Sequence, residues 1–434
     1  MKIKTKCRPY SEVMAIEPKK HQKPRRQSAL LRFVMRVASI PDLWATNFRV
    51  KKIGMERLGR REPCLFLMNH SSFIDLEIAS TLLFPRPFHI VCTSDGVVGK
   101  SLLMRFLGCI PTKKFVFDLG LVRDITYAVR ELKSSVLMYP EASYSFDGTA
   151  TPLPATVAQL VKRLGVPVVM IKAEGAFARQ PLYNNLIKRR VKVSAEMRYL
   201  LSPEEIASMD VAAIAKILDE QFTYDHFRWQ QENRIRIDHK RRADFLHRVL
   251  YKCPVCQAEG KTEGKGERLT CHACGSTWHL DEYGLMQAEH AEQTIAHIPD
   301  WYAWERACVR REIESDSYAL DCAVDVAVQV DTKCIYRVGE GRLTHTKAGF
   351  HLTGCEGKLD YEQKAVASYS LYADYYWYEL GDVICIGNQK VLYYCFPKDA
   401  SIPVAKARLA TEEIYRLLQA EKRQIHQNSA LDFV

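Results

Sequence analysis

The sequence predicts an α/β domain with a central sheet and flanking helices. A small cysteine-knuckle module follows it, and then a small mainly-β domain with a C-terminal helix. Three observations carry this prediction. Short apolar runs alternate with amphipathic stretches between residues 47 and 223, two Cys-x-x-Cys pairs lie between 253 and 274, and period-two alternation sets in near 317.

In the first region, strands are expected near 48–53, 63–68, 88–92, 135–139, 167–172 and 191–198. Helices are expected near 73–84, 99–108, 121–133 and 155–164, because Ile74, Ile78 and Leu82 share one face, as do Val122, Ile125, Val129 and Leu132. Residues 224–250 are basic and read as a helical connector. The knuckle module spans 251–285, a helical linker 286–316, and the β domain 317–434, with about seven strands and a helix near 403–420.

The charge is uneven. Residues 1–61 hold 17 Lys/Arg against 4 Asp/Glu, a net +13, which leaves the other residues at −2 out of the chain's +11. Such a basic head favours an anionic surface as partner. Residues 1–27 read as a flexible basic arm. "SALLRFVMRVASI" reads as one helix capped by Ser28 and stopped at Pro41, with a broad apolar face and Arg32 and Arg36 on one line. Residues 1–46 are therefore expected to dock peripherally on an anionic membrane, with the arginines reaching headgroups. No apolar run approaches the ~18 residues that a membrane span requires. Fourteen cysteines without a disulfide framework point to a reducing, cytoplasmic compartment. Nucleic acid is not expected as a partner, since no aromatic-plus-basic stripe is present.

The knuckles "CPVC" and "CHAC" place Cys253, Cys256, Cys271 and Cys274 in the spacing of a four-thiolate zinc ribbon. With no ligand position left open, the zinc is expected to be structural. By contrast, "SDGVVGKS" at 94–101 lacks the first glycine of a phosphate loop and is not read as one.

The stretch "MNHSSFIDLE" carries the chemistry. A strand delivers the chain to Asn69 and His70, and Asp75 follows five residues later. Five helical residues advance by about 500°, so the pair can meet only with His70 in the turn before a helix and Asp75 in its first turn. Ser71 and Ser72 are suited to that turn. A carboxylate on one imidazole nitrogen leaves the other free to take a proton from an alcohol.

"NHSSFID", "FLGCIPTKK", "YPEASYS" and "GVPVVMI" occur in that order between residues 60 and 175. Together they resemble the four blocks of the glycerolipid acyltransferases, which acylate glycerol phosphate and lysophosphatidic acid. The resemblance implies direct acyl transfer from acyl-CoA or acyl carrier protein to a lysophospholipid-type acceptor, 1-acyl-sn-glycerol 3-phosphate by default. His70 would be the general base and Asp75 its orienter, while Glu141, Ser143, Lys113 and Lys114 would serve the acceptor. The family's phosphate-binding arginines are replaced here by a lysine and by Tyr144, so Arg179 is a further candidate for that role. A catalytically inactive lipid-binding scaffold of the same fold is the alternative. The β domain is similar in texture to PH-like domains. Its aromatic run "YSLYADYYWYEL" reads as strand packing.

Overall fold

The computed structural model describes residues 2–17, 20–116, 118–291 and 295–431, with side chains to residue 424. The chain opens with β1 (Thr5–Cys7), α1 (Tyr10–Met14) and α2 (Ala29–Ala45). The α/β domain then runs through β2 (Arg49–Ile53), β3 (Leu65–Met68), α3 (Ile74–Leu83), β4 (Phe88–Thr93), α4 (Ser101–Phe106), β5 (Cys109–Thr112), α5 (Leu119–Arg130), β6 (Ser135–Met138), α6 (Thr156–Leu164), β7 (Val168–Glu174), α7 (Ala176–Arg179), β8 (Ser194–Leu201), α8 (Pro203–Ser208) and α9 (Val211–Phe222).

Its sheet has the order β2-β8-β7-β3-β6-β4-β5. β3 lies between β7 and β6 and is parallel to both, and β4 and β5 run the same way. The strand is buried on both faces. Leu65 and Leu67 enter one core with α5, α6 and α9, and Phe66 and Met68 enter another with α3. That is why "LFLM" reads as a continuous apolar run instead of an alternating one. The parallel arrangement opens the carboxyl ends of β3 to β7 on one edge of the sheet, where ligands bind in such folds.

The second module begins with α10 (His226–Glu232) and forms a four-stranded sheet, β9 (Thr262–Lys265), β10 (Arg268–Cys271), β11 (Thr277–Leu280) and β12 (Met286–His290), in the order β12-β11-β10-β9. After α11 (Ile298–Glu314), the β domain comprises β13 (Leu320–Gln329), β14 (Ile335–Thr346), β15 (Gly349–Gly354), β16 (Leu359–Lys364), β17 (Tyr372–Trp377), β18 (Gly381–Gly387) and β19 (Leu392–Pro397), then α12 (Val404–Leu431). Its strands follow the order β16-β15-β14-β13-β19-β18-β17.

Several expectations are corrected. Described residues of the N-terminal arm are not free. β1 pairs in parallel with β14 (Thr5 opposite Ile335), Val13 is fully buried, and Gln27 accepts from Phe88 N–H (3.1 Å) while donating to Leu107 O (3.1 Å). The arm uses an edge of β14 that β15 leaves vacant, since β15 pairs only from Gly341 onward. Pro41 does not stop α2. It sits on the exposed side, so water can serve the carbonyl its ring leaves without a donor. The connector 224–250 is helical only over His226–Glu232 and in one 3-10 turn at Leu246–Arg248. Between them Ile235 and Ile237, two apart, pack as an extended segment against Ala178 and Val191. The linker at 286–316 begins as strand β12, not helix, with Met286 buried opposite Leu280. β5 and the α8–α9 pair were not anticipated. "CIPT" is too short to show periodicity, whereas Ile206, Ile214, Leu218 and Phe222 do bury against the α6 side of the sheet.

The β domain sits on the carboxyl-end edge of the α/β sheet. Ser94 Oγ donates to Gln329 Oε1 (3.0 Å), and Gly99 N–H donates to Thr332 O (2.9 Å). Asp95 Oδ2 accepts from both Tyr372 Oη (2.8 Å) and Trp377 Nε1 (3.1 Å). Val98 joins Tyr372, Trp377, Tyr394 and Leu392 in a shared apolar cluster.

Candidate active site

β3 ends at Met68, and the next two residues turn into α3. Asn69, fully buried, fixes that turn to β7. Its Nδ2 donates to Ala173 O (2.9 Å), and its Oδ1 accepts from Ala173 N–H (2.7 Å). Ser72 Oγ adds a bond to Ala176 O (2.8 Å). Asn69 thus bridges the end of β3 to β7.

The turn brings His70 and Asp75 together. His70 Nδ1–H donates to Asp75 Oδ2 at 3.1 Å. The same oxygen accepts from the backbone N–H of Ser71 (2.7 Å) and Ser72 (3.0 Å). Asp75 is completely buried, whereas the His70 side chain is 23% exposed. A carboxylate acceptor at Nδ1 fixes the tautomer that leaves the Nε2 lone pair free. Burial lowers the His70 pKa, against the opposing pull of Asp75, so the imidazole is neutral at pH 7.

Two tyrosines enclose the ring. Tyr139 stacks on it at 4.0 Å between centroids, and Tyr144 approaches at 4.3 Å, tilted by 48°. Burial pushes both phenols above their usual range, so they stay protonated. Neither ring was anticipated as a neighbour of His70. The only signal was their place in "YPEASYS", five residues apart around a turn in which Ala142 adopts φ = 60°.

The other expected site residues divide. Glu141 is buried and both its oxygens go to protein donors. Oε2 takes His70 N–H (2.8 Å), and Oε1 takes Thr151 N–H (2.9 Å), Thr151 Oγ1 (3.1 Å) and Tyr224 Oη (3.3 Å). It therefore holds the turn through both oxygens. Burial raises its pKa to about 7. Ser143 is buried beside it, and its Oγ has no hydrogen-bond partner. Lys113 turns away from His70 and donates to the carbonyls of Asn388 (3.2 Å) and Gln389 (2.6 Å) in the β domain. Lys114 stays near His70, with its ammonium 4.1 Å above the Tyr372 ring. The Arg179 guanidinium is tied to Asp42 and to Arg189 O.

Residues 49–172 match the acyltransferase family model. The match runs from β2 into β7 and takes in His70, Asp75, Lys113, Lys114, Glu141 and Ser143. The matched region thus contains the His70–Asp75 pair, while the knuckle module and β domain lie beyond it. No curated protein matches the chain. Among solved structures, the 1-acyl-sn-glycerophosphate (LPA) acyltransferase PlsC from Thermotoga maritima is similar at 17% identity and a TM-score of 0.36, over 44% of this chain and 76% of that one.

The four knuckle sulfurs form a second cluster. Cys253, Cys256, Cys271 and Cys274 have all their Sγ atoms within 4.8 Å of one another, with Cys253–Cys274 at 3.8 Å and Cys256–Cys271 at 3.7 Å. A tetrahedron of thiolates about 2.3 Å from zinc has edges of about 3.8 Å, so the donor set fits that ion.

Glu141 generates a pH prediction. A carboxyl group whose pKa is raised from 4.5 to about 7 binds more protons folded than unfolded, so its contribution to stability declines as pH rises through that window. Glu141→Gln should remove up to about 3 kcal/mol of that decline. The variant should also be less stable at pH 5, because one backbone N–H loses its acceptor. Thermal midpoints of both proteins from pH 4.5 to 7.5 test this, and parallel curves would refute it.

Proposed function

We propose that this protein transfers a fatty acyl group from acyl-CoA or acyl carrier protein to a hydroxyl of a lysophospholipid-type acceptor, of which 1-acyl-sn-glycerol 3-phosphate is the simplest. The reading rests on the Asp75–His70 hydrogen bond inside a segment that matches the acyltransferase family. His70 Nε2 takes the hydroxyl proton as the oxygen attacks the thioester carbonyl carbon. The C–S bond then breaks, and the proton passes from the imidazolium to the departing sulfur. Asp75 keeps the ring oriented and balances its transient charge. Glu141 acts as a positioning residue by holding the His70 backbone, and Ser143 lines the same loop.

A membrane surface is the proposed source of the acceptor. No helix among the described residues is long and apolar enough to cross a membrane. α2 turns its apolar side outward. Leu30, Phe33, Val34, Val37, Ile40 and Trp44 are exposed, Trp44 by 85%, while Asp42 on the opposite side is buried against Arg179 and Lys188. Phe73, three residues from His70, and Leu102 on α4 are exposed as well. An outward apolar ridge flanked by Arg25, Arg26, Arg36 and Arg105 suits insertion among anionic headgroups. We assign zinc at Cys253, Cys256, Cys271 and Cys274 a structural role, and read the seven strands and terminal helix of the β domain as a PH-like module.

The expected outcomes concern catalysis, membrane docking and zinc. His70→Ala should cut acyl transfer by about 10³-fold or more, and Asp75→Asn by about 10²-fold. The wild-type rate should rise with pH through a midpoint below the usual histidine value and stay flat from pH 7 to 8. If purified protein acylates no acceptor, yet binds lipid tightly, the scaffold alternative replaces the enzyme. Trp44→Asp combined with Phe33→Asp should abolish sedimentation with anionic vesicles, and high salt should weaken it for the wild type; unchanged sedimentation of the double variant would remove the docking role. Metal analysis should find one zinc per chain, and chelation or Cys253→Ser should lower the thermal midpoint by several degrees. An apo protein with the same midpoint would show the cluster to be dispensable.

A further inference from the structure

The β domain reaches the imidazole's neighbours from two sides. Tyr144, against His70, feels the charges of Asp75 and Asp374 as well as its burial, and Phe146, two residues on, packs against Tyr375 at 4.6 Å. From the other side, Lys114 rests 4.1 Å above Tyr372, whose hydroxyl is anchored on Asp95. Asp374 follows two residues after Tyr372 on β17. Its Oδ1 accepts from Tyr375 N–H (2.9 Å), and it attracts Lys114. The end of this strand is also strained. Tyr376, Tyr378 and Glu379 all have positive φ (51°, 46° and 66°), at a register break between Asp374 and Trp377. Non-glycine residues hold such angles at a cost, and they collect where a structure must present groups in fixed positions.

The charges around the dyad are mixed. Lys114 is the one cation whose charge His70 registers among the described residues. Lys113 and Arg179 are bound elsewhere, and Arg408, above the Phe146 ring, is paired with Glu412. Burial lowers the Lys114 pKa, and the charges of Asp374 and Asp95 oppose that lowering. A phosphomonoester carries about −1.5 to −2 at pH 7 and calls for several cations or bidentate arginines. One lysine between two carboxylates does not supply them.

We infer that Lys114 and the β-domain residue Asp374 together select the acceptor, favouring a head that carries one ammonium and one singly charged anion over a phosphomonoester. Lys114 takes the anion and Asp374 takes the ammonium. The β domain is then a wall of the acceptor site as well as an attachment to it. This rests on the acyl-transfer reading above and narrows its acceptor class. An ammonium phosphodiester and an amino-acid head share the required chemistry.

The test compares initial rates of the full-length protein with lyso-acceptors of one chain length: an ethanolamine phosphodiester, an amino-acid lipid, a glycerol phosphodiester and lysophosphatidic acid. Either zwitterionic head should exceed lysophosphatidic acid by about tenfold, and the better of the two names the source. Asp374→Asn should reduce that ratio by about tenfold, and Asp374→Lys should reverse it. Because ratios are read, partial loss of folded protein does not mimic the effect. Lysophosphatidic acid as the best wild-type acceptor, or an unchanged ratio in Asp374→Asn, would overturn the inference. Calorimetric binding of glycerophosphoethanolamine and glycerol 3-phosphate to the wild type separates this from the parent reading. Tighter binding of the former supports head selection even if nothing is acylated; tighter binding of the latter, or of neither, refutes it. Absence of acylation with every acceptor counts against acyl transfer itself.

Discussion

One carboxylate oxygen organises the site. Asp75 Oδ2 receives three N–H groups, from the His70 ring and from the backbones of Ser71 and Ser72. A fully buried carboxylate is costly to desolvate unless donors surround it, and those three donors lie within five residues of sequence. The same bonds force the chain to turn between β3 and α3. The geometry that stabilises the charge is therefore the geometry that aims the imidazole. His70 cannot be oriented without Asp75, and Asp75 cannot remain buried and charged without the turn that carries His70.

The rest of the α/β domain serves this turn. β3 is held between two parallel strands, and each of them sends a support to its end. β7 contributes Ala173 to Asn69, and the segment after β6 contributes Glu141 to the His70 backbone and Tyr139 and Tyr144 to its ring. Parallel pairing is what brings these ends to one edge, although they lie about 70 and 100 residues apart in sequence. The tyrosines pack against the imidazole, and its burial lowers its pKa, which favours the neutral form that can accept a proton.

Much of this was legible in the sequence, because it follows local rules. The His70–Asp75 spacing demands a strand-to-helix turn, the helical periods of α3, α5 and α6 are regular, and the knuckle spacing places four sulfurs within reach of one ion. What was not legible depends on partners distant in sequence. Lys113 and Lys114 are neighbours with the same charge, yet one is consumed by carbonyls near residue 388 and the other remains beside His70. Glu141 stands in a motif, but its partners Thr151 and Tyr224 lie 10 and 83 residues further on. The basic arm gave no hint that Thr5–Cys7 would find an open strand edge some 330 residues away. The tyrosine-rich run at 369–380 was read as strand packing, and it is that, but the surface it packs on is the loop after β4.

The knuckle module links these distant parts mechanically. Glu259, between the two knuckles, pairs with Lys252 and with Lys406 at the start of α12, while Glu312 on α11 pairs with the same two lysines. Trp278 of β11 meets Trp301 of α11 edge-on at 5.0 Å, and Trp301 Nε1 donates to Lys252 O (3.1 Å). α12 in turn carries Arg408 to Phe146, one residue past the loop that holds Ser145 N–H on His70 O. Each link is a partly or fully buried contact, where charge pairs and rings are fixed more firmly than on a wet surface. A small sheet with little core of its own thus braces both long helices, and through them the β domain, against the loop beside the imidazole. These contacts form a continuous path from the knuckle module through α11 and α12 to Phe146, next to the loop bonded to His70 O.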